Sequence, residues 1–161
     1  MSGDARSTAP YSRLGPEPID PRALEARVSG PECGAVATFA GVVRDHHEGR
    51  RVRRLEYSAY EDMAGRVLAD IVDEAARRFG TSAIAVQHRL GALEVGETSV
   101  VVAAAAVHRR EALAACAWVI DEVKARAPIW KKEFGDDGAF WIEGPGSCPS
   151  ATPPVDPGSA S

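Results

Sequence analysis

No stretch of this chain approaches the roughly 20 consecutive apolar residues that a membrane-spanning helix needs. The segment Met1 to Pro18 is polar and rich in Pro and Gly, with no apolar run that could act as a signal peptide. Cysteine is sparse. Cys33, Cys116 and Cys148 are odd in number and widely spaced, and they form no Cys-x-x-Cys pair, so neither a disulfide framework nor a zinc site is indicated. These absences predict a cytoplasmic protein. Excess positive charge is lacking too: a net charge of −4 and a pI near 5.6 argue against a general nucleic-acid binder but leave room for a local anion site.

The scarcest basic residue is lysine. Of nineteen Lys and Arg residues only Lys124, Lys131 and Lys132 are lysines, and all three fall within nine residues. A coding-DNA bias toward arginine is one explanation of the ratio, but the lysines are clustered as well as rare. Lysine can lose its proton when desolvated and act as base or nucleophile, which arginine cannot. The cluster is therefore the first place to look for chemistry.

What is present suits one domain. The chain has 161 residues, 45% apolar and 26% charged, ordinary values for a globular protein that can bury a core. Residues 1–19 read as a flexible arm and 144–161 as a disordered Pro/Gly/Ser tail, leaving 20–143 as the folded part. Asp20-Pro21 marks an N-cap and first helical position for a short helix through Val28. Gly34 to Val43 reads as a buried strand, Arg44 to Arg51 as a charged loop, and Val52 to Ala59 as a half-buried strand with Leu55, Tyr57 and Ala59 on one face.

Tyr60 to Phe79 carries Met63, Val67, Ile71, Ala75 and Phe79 at helical spacing and stops at Gly80. Ala83 to Arg89 is a strand, followed by a turn region with Gly91 and Gly96; Ser99 to Val107 is a strand buried on both faces. Arg109 to Ala127 is a second long helix with Leu113, Ala117, Ile120 and Val123 inward, stopped by Pro128. Ile129 to Phe134 and Ala139 to Glu143 form a hairpin around Gly135 to Gly138. The order gives an α+β domain.

Several features point to an anion pocket. Val107-His108-Arg109-Arg110-Glu111 joins a buried strand to a helix start, where free N–H groups and the helix dipole attract anions. Two arginines in that first turn are unfavourable without a bound anion, although solvated arginines beside a core histidine explain the pattern as well. Phe39-Ala40-Gly41-Val42-Val43-Arg44 ends a strand with an arginine suited to bidentate phosphate, or to a plain strand-end salt bridge. Lys124 lies at the edge of the second helix's apolar face, where a lysine can snorkel or have a lowered pKa. Lys131 shares a strand face with Ile129 and Glu133, with Trp130 and Lys132 opposite, an arrangement that an exposed hairpin face explains equally well. His46 and His47 adjoin Arg44 but point in different directions, so no metal site is expected there, and His88 reads as structural.

Five motifs recur in a recognisable order: Phe39-x-Gly41-x-Val43-Arg44; Leu55-Glu56-Tyr57-x-Ala59-Tyr60-x-x-Met63-Ala64; His88-Arg89-x-Gly91 with Gly96-Glu97; His108-Arg109; and Lys124-x-Arg126-x-Pro128-x-Trp130-Lys131-Lys132-Glu133. Together they resemble the large, catalytic subunit of molybdopterin synthase, over about residues 33–143. The resemblance implies an α/β-hammerhead-like domain with an additional antiparallel sheet or hairpin. It implies a sulfurtransferase of molybdenum cofactor biosynthesis, converting cyclic pyranopterin monophosphate (precursor Z) to molybdopterin. Sulfur would come from the C-terminal Gly-Gly thiocarboxylate of a small ubiquitin-like subunit, within a heterotetramer built on a homodimer of this chain.

The same resemblance implies roles for residues. Lys124 would be the principal catalytic lysine and Lys131 its partner, Arg44, His108 and Arg109 would hold the pterin phosphate, and Phe39, Val42, Val43, Lys132 and Glu133 would line the site. No metal or cofactor is expected for this step, and no nucleic-acid or membrane partner. The Pro/Ser-rich tail has no implied role. The competing reading is a non-catalytic module that docks the small sulfur carrier; an unrelated phosphate-ester enzyme is the third, without an obvious metal or nucleophile motif.

Overall fold

The computed structural model describes residues 9–142. Its strands are β1 (Tyr11–Gly15), β2 (Ala35–Val42), β3 (His46–His47), β4 (Arg50–Ala59), β5 (Ile84–Arg89), β6 (Gly91–Glu94), β7 (Thr98–Ala106), β8 (Ile129–Gly135) and β9 (Gly138–Ile142). Its helices are α1 (Pro21–Val28), α2 (Glu61–Phe79) and α3 (Arg109–Arg126). One sheet has the order β1-β5-β7-β2, with β1 parallel to β5 and the other pairs antiparallel. The second runs β3-β4-β8-β9, with β6 also paired to β4. The α+β class and the added hairpin sheet are as expected from the sequence.

The first sheet is a filling between helices. Along β7, Val101, Ala103 and Ala105 join Leu24 and Val28 of α1 in one cluster. Val100, Val102, Ala104 and Ala106 face the other way, into the cluster of Leu68, Ile71 and Val72 of α2 and Val119, Ile120 and Val123 of α3. Period-two alternation with both faces covered explains why this strand has no polar side chain from Val100 to Ala106. Local signals set the helix ends. The Asp20 side chain accepts from Arg22 N–H at 3.0 Å with Pro21 in the first turn, and Gly80 closes α2 at φ 66°.

Several expectations are corrected. Within the supposed flexible arm of residues 1–19, Tyr11–Gly15 forms β1, hydrogen-bonded along the free edge of β5, with the Arg27 guanidinium 3.8 Å over the Tyr11 ring. Residues 1–8 and the expected tail, 144–161, lie outside the described residues. β2, expected to be buried, is an edge strand with alternate residues exposed, Val42 among them. The charged loop 44–51 folds into a tight hairpin: His47 pairs with Arg50 across Glu48 and Gly49, both at positive φ. The turn after β5 holds the short strand β6, whose partner β4 supplies the hydrogen bonds.

Both long helices keep the expected period, and Ile71, Ala75, Ile120 and Val123 are buried as expected, with Val67 and Phe79 packed against the core. Met63, Leu113 and Ala117 face outward, and the buried stripes run through Ala64, Leu68, Ile71, Val72 and Ala75 in α2 and Ala112, Ala115, Cys116, Val119 and Ile120 in α3. Ala64 and Ala75 in α2 and Ala112 and Ala115 in α3 are fully or almost fully buried.

Candidate active site

The two sheets and the end of α3 enclose a cavity of about 450 Å³. Each wall has a local cause. At the end of β2 the register against β7 shifts between Gly41 and Val42. A Cβ on Gly41 would lie 2.8 Å from Val100 Cγ1, so only glycine permits this close approach. Ser99 Oγ donates to the Gly41 carbonyl at 3.2 Å. Beyond the shift, Val43 turns into a small cluster with Val52, Leu55 and Leu93, and Arg44 is left exposed at the cavity wall.

Pro128 ends α3, and Lys124 stands in its last turn, where the helix dipole favours a cation. Lys124 lines the cavity with an exposed side chain. Across from it, β8 presents Ile129, Lys131 and Glu133 to the cavity, as the alternation predicted. Burial pushes the Lys131 ammonium below the usual lysine range, with the Lys124 and Arg44 charges adding to the effect and Glu133 opposing it. The desolvated lysine is thus Lys131, whereas the sequence placed that effect at Lys124.

Sequence reasoning gave no site role to five further polar or aromatic residues that line the cavity: His46, His47, Tyr57, His88 and Ser99. Glu133 is buried, and its Oε1 lies 2.9 Å from His47 Nδ1. That nitrogen lacks an aligned hydrogen bond, so the approach is a close contact rather than a directed bond. Tyr57 packs edge-on against His88 at 5.1 Å, and burial raises its phenol pKa against the opposing effect of a hydrogen bond to Ser99.

His88, read as structural, is buried as expected, and its ring also faces the cavity. Its Nδ1 is 2.9 Å from the Arg89 carbonyl, an acceptor only, so that nitrogen carries the proton. Burial lowers the His88 pKa from 6.5 to about 4, with the bond to Arg89 opposing and the Lys124 charge reinforcing the shift. The unfolded chain therefore binds a proton here that the folded chain refuses, and stability falls as pH drops from 6.5 toward 4. The full shift corresponds to about 3 kcal/mol. His88→Gln is expected to flatten this acid loss, as read by urea unfolding at the two ends of that pH window.

The structure brings Phe39, Val42, Arg44, Lys124, Lys131 and Glu133 to one cavity. It does not bring the remaining candidates there. Val43 is buried behind the wall, and Lys132 lies on the opposite face of β8, 5.4 Å from the Phe134 ring and 5.2 Å from the Trp141 ring. His108 is the N-cap of α3 and Arg109 its first residue. Fifteen residues separate Arg109 from Lys124, about 22 Å along the axis at about 1.5 Å per residue. Three cations around a cavity with one buried carboxylate suit an anionic ligand, and two closely placed amines suit proton transfer beside it.

Comparisons with known proteins agree with this chemistry. A family model described as MoaE protein matches residues 14–126. The molybdopterin synthase catalytic subunit of Pyrococcus abyssi (strain GE5 / Orsay) is 46% identical over 129 residues, covering 80% of this chain and 87% of that protein. The X-ray crystal structure of molybdopterin synthase from Staphylococcus aureus superposes with a TM-score of 0.76 at 33% identity, covering 81% of this chain and 95% of that one. The same fold occurs in a protein–protein complex of subunits 1 and 2 of molybdopterin-converting factor from Helicobacter pylori 26695, with a TM-score of 0.67, 21% identity, and 82% and 90% of the two chains covered.

Proposed function

This chain belongs to the MoaE protein family, and from that premise we infer that it is the catalytic, large subunit of a molybdopterin synthase. It converts cyclic pyranopterin monophosphate to molybdopterin by transferring two sulfurs from the thiocarboxylated C-terminus of a small ubiquitin-like subunit. The observation that carries this reading is the convergence of Lys124, Lys131 and Arg44 on one open cavity. Releasing sulfur from an acyl carbon passes through an oxyanion and requires protons to be delivered and removed. An exposed lysine and one whose pKa is lowered by burial, both on the same cavity, supply both needs.

In this reading Lys124, exposed at the cavity, meets the inserted Gly-Gly tail, and Lys131 serves as acid and base beside it. Arg44 holds the pterin phosphate, Phe39 and Val42 shape the wall, and Val43 supports it from behind. His108 and Arg109 can join that phosphate site only from a second copy of the chain, given their distance along α3. Val36, Val107 and Leu113 expose 44%, 61% and 61% of their surface around those two residues, an apolar face suited to self-association. This supports a homodimer at the centre of a heterotetramer. Among the described residues no helix is long and apolar enough to cross a membrane, and the reading places the enzyme in the cytoplasm.

Arg44→Ala is expected to raise the precursor KM by about tenfold or more, the order of one lost charge-assisted hydrogen bond. The complex with the small subunit should persist, as judged by size-exclusion chromatography. An unchanged precursor affinity would remove Arg44 from the phosphate site. Failure to form any complex with a thiocarboxylated small subunit would overturn the assignment as a whole.

A further inference from the structure

His88 lies one residue before the end of β5, only 7% exposed yet on the wall of the cavity. Its ring is fixed from two sides. Nδ1 donates to the Arg89 carbonyl at 2.9 Å. The Tyr57 ring packs edge-on at 5.1 Å, and the Tyr57 phenol is itself held by a hydrogen bond to Ser99. The backbone at Arg89 is anchored in turn. Leu90 N–H donates to the Gly15 carbonyl at 2.8 Å, and the Arg89 side chain reaches the Pro16 carbonyl at 3.3 Å and Glu97 at 3.4 Å. The motif His88-Arg89-x-Gly91 with Gly96-Glu97 is thus one structural unit around a single imidazole.

With the proton on Nδ1, Nε2 keeps its lone pair and can only accept. The described residues supply Nδ1 with an acceptor but Nε2 with no donor. Burial keeps the ring neutral, with its pKa lowered to about 4, and the Lys124 charge acts in the same direction. The cations on the cavity are of the opposite kind: Arg44, and Lys124 and Lys131 when protonated, only donate. They suit a phosphate and leave the ring N–H and amino groups of a reduced pterin without partners. Glu133, the carboxylate on the wall, lies against His47 Nδ1 at 2.9 Å.

Resting on the function proposed above, we propose that His88 is a substrate-recognition residue, whose Nε2 accepts a hydrogen bond from an N–H of the pterin while Arg44 holds the phosphate. The imidazole takes up no proton and forms no covalent bond, so it acts on affinity rather than on the sulfur-transfer step. Its preset tautomer and packed ring mean that little freedom is lost when the substrate binds.

The test uses the complete enzyme. With a small subunit lacking the thiocarboxylate, precursor binds without turnover and its affinity is read by calorimetry; with the thiocarboxylated subunit, kcat and KM are read. His88→Phe keeps an aromatic ring against Tyr57 but removes the acceptor, and is expected to weaken precursor binding about tenfold or more while leaving kcat within about threefold. His88→Gln can bring its amide oxygen near the place of Nε2 and should recover most of the affinity. Unchanged affinity in His88→Phe would overturn the proposal, as would equal losses in both variants, which a histidine with a purely structural role would give. If His88→Phe fails to fold, histidine nitrogen NMR of the unmutated complex decides. On adding precursor the His88 Nε2 signal should move in the direction of an accepted hydrogen bond, with Nδ1 still protonated, and an unmoved signal would overturn the proposal. An unmutated enzyme that binds precursor but makes no product would instead refute the proposed catalysis and leave the role of His88 standing.

Discussion

Lys124→Ala is expected to lower product formation by about a thousandfold, within the range of about 10²–10⁴ that a positioned acid or base contributes. The reason is position. Lys124 stands in the last turn of α3 with its side chain exposed at the cavity, where the proposed function brings the carrier's terminus. Removing the side chain leaves the buried stripe of Ala115, Val119, Ile120 and Val123 intact, so thermal stability should change little. Assembly with the small subunit should also persist. Rate measured against complex formation separates the enzyme from a module that merely docks the carrier. Activity near that of the unmutated protein would remove Lys124 from the role assigned to it.

Lys131→Met is expected to lower the rate by about a hundredfold or more, with an opposite signature in stability. Burial opposes the ammonium here more than Glu133 favours it. Between the lowered folded-state pKa and the ordinary 10.5, the unfolded chain binds more protons than the folded one, so stability of the unmutated protein rises with pH across that window. Methionine fills the same space without a charge to desolvate. The variant should therefore lose this rise and should be no less stable at neutral pH. Urea unfolding across the alkaline range reads the slope, and an unchanged slope would show that Lys131 is not the desolvated amine.

The two variants separate what the sequence could reveal from what only the fold shows. The lysine cluster was legible because lysine is so rare in this chain, and the alternation of Ile129, Lys131 and Glu133 correctly put those three on one face. Chain punctuation was legible for the same local reason: Asp20-Pro21, Gly80 and Pro128 act within a few residues of themselves. The first strand was not. Tyr11–Gly15 is ordered by β5, more than seventy residues away, and its Pro- and Gly-rich surroundings resemble a free terminus.

The same distance hid half of the site. His47 meets Glu133, and Tyr57 meets His88, only after the two sheets have formed. Conversely, His108 and Arg109 stand on the same helix as Lys124, yet helix geometry carries them to its far end. Motif order along a chain says which residues a family keeps, not which of them meet within one protomer.

The central claim is that this chain catalyses sulfur transfer onto a phosphorylated pterin, and it is tested most directly by reconstitution. The purified chain is mixed with a thiocarboxylated small subunit and precursor Z, and the dithiolene pterin is assayed as its oxidised fluorescent derivative. Product forming at a rate proportional to this chain is the expected result. A stable complex without product would contradict the account and leave only a carrier-docking module.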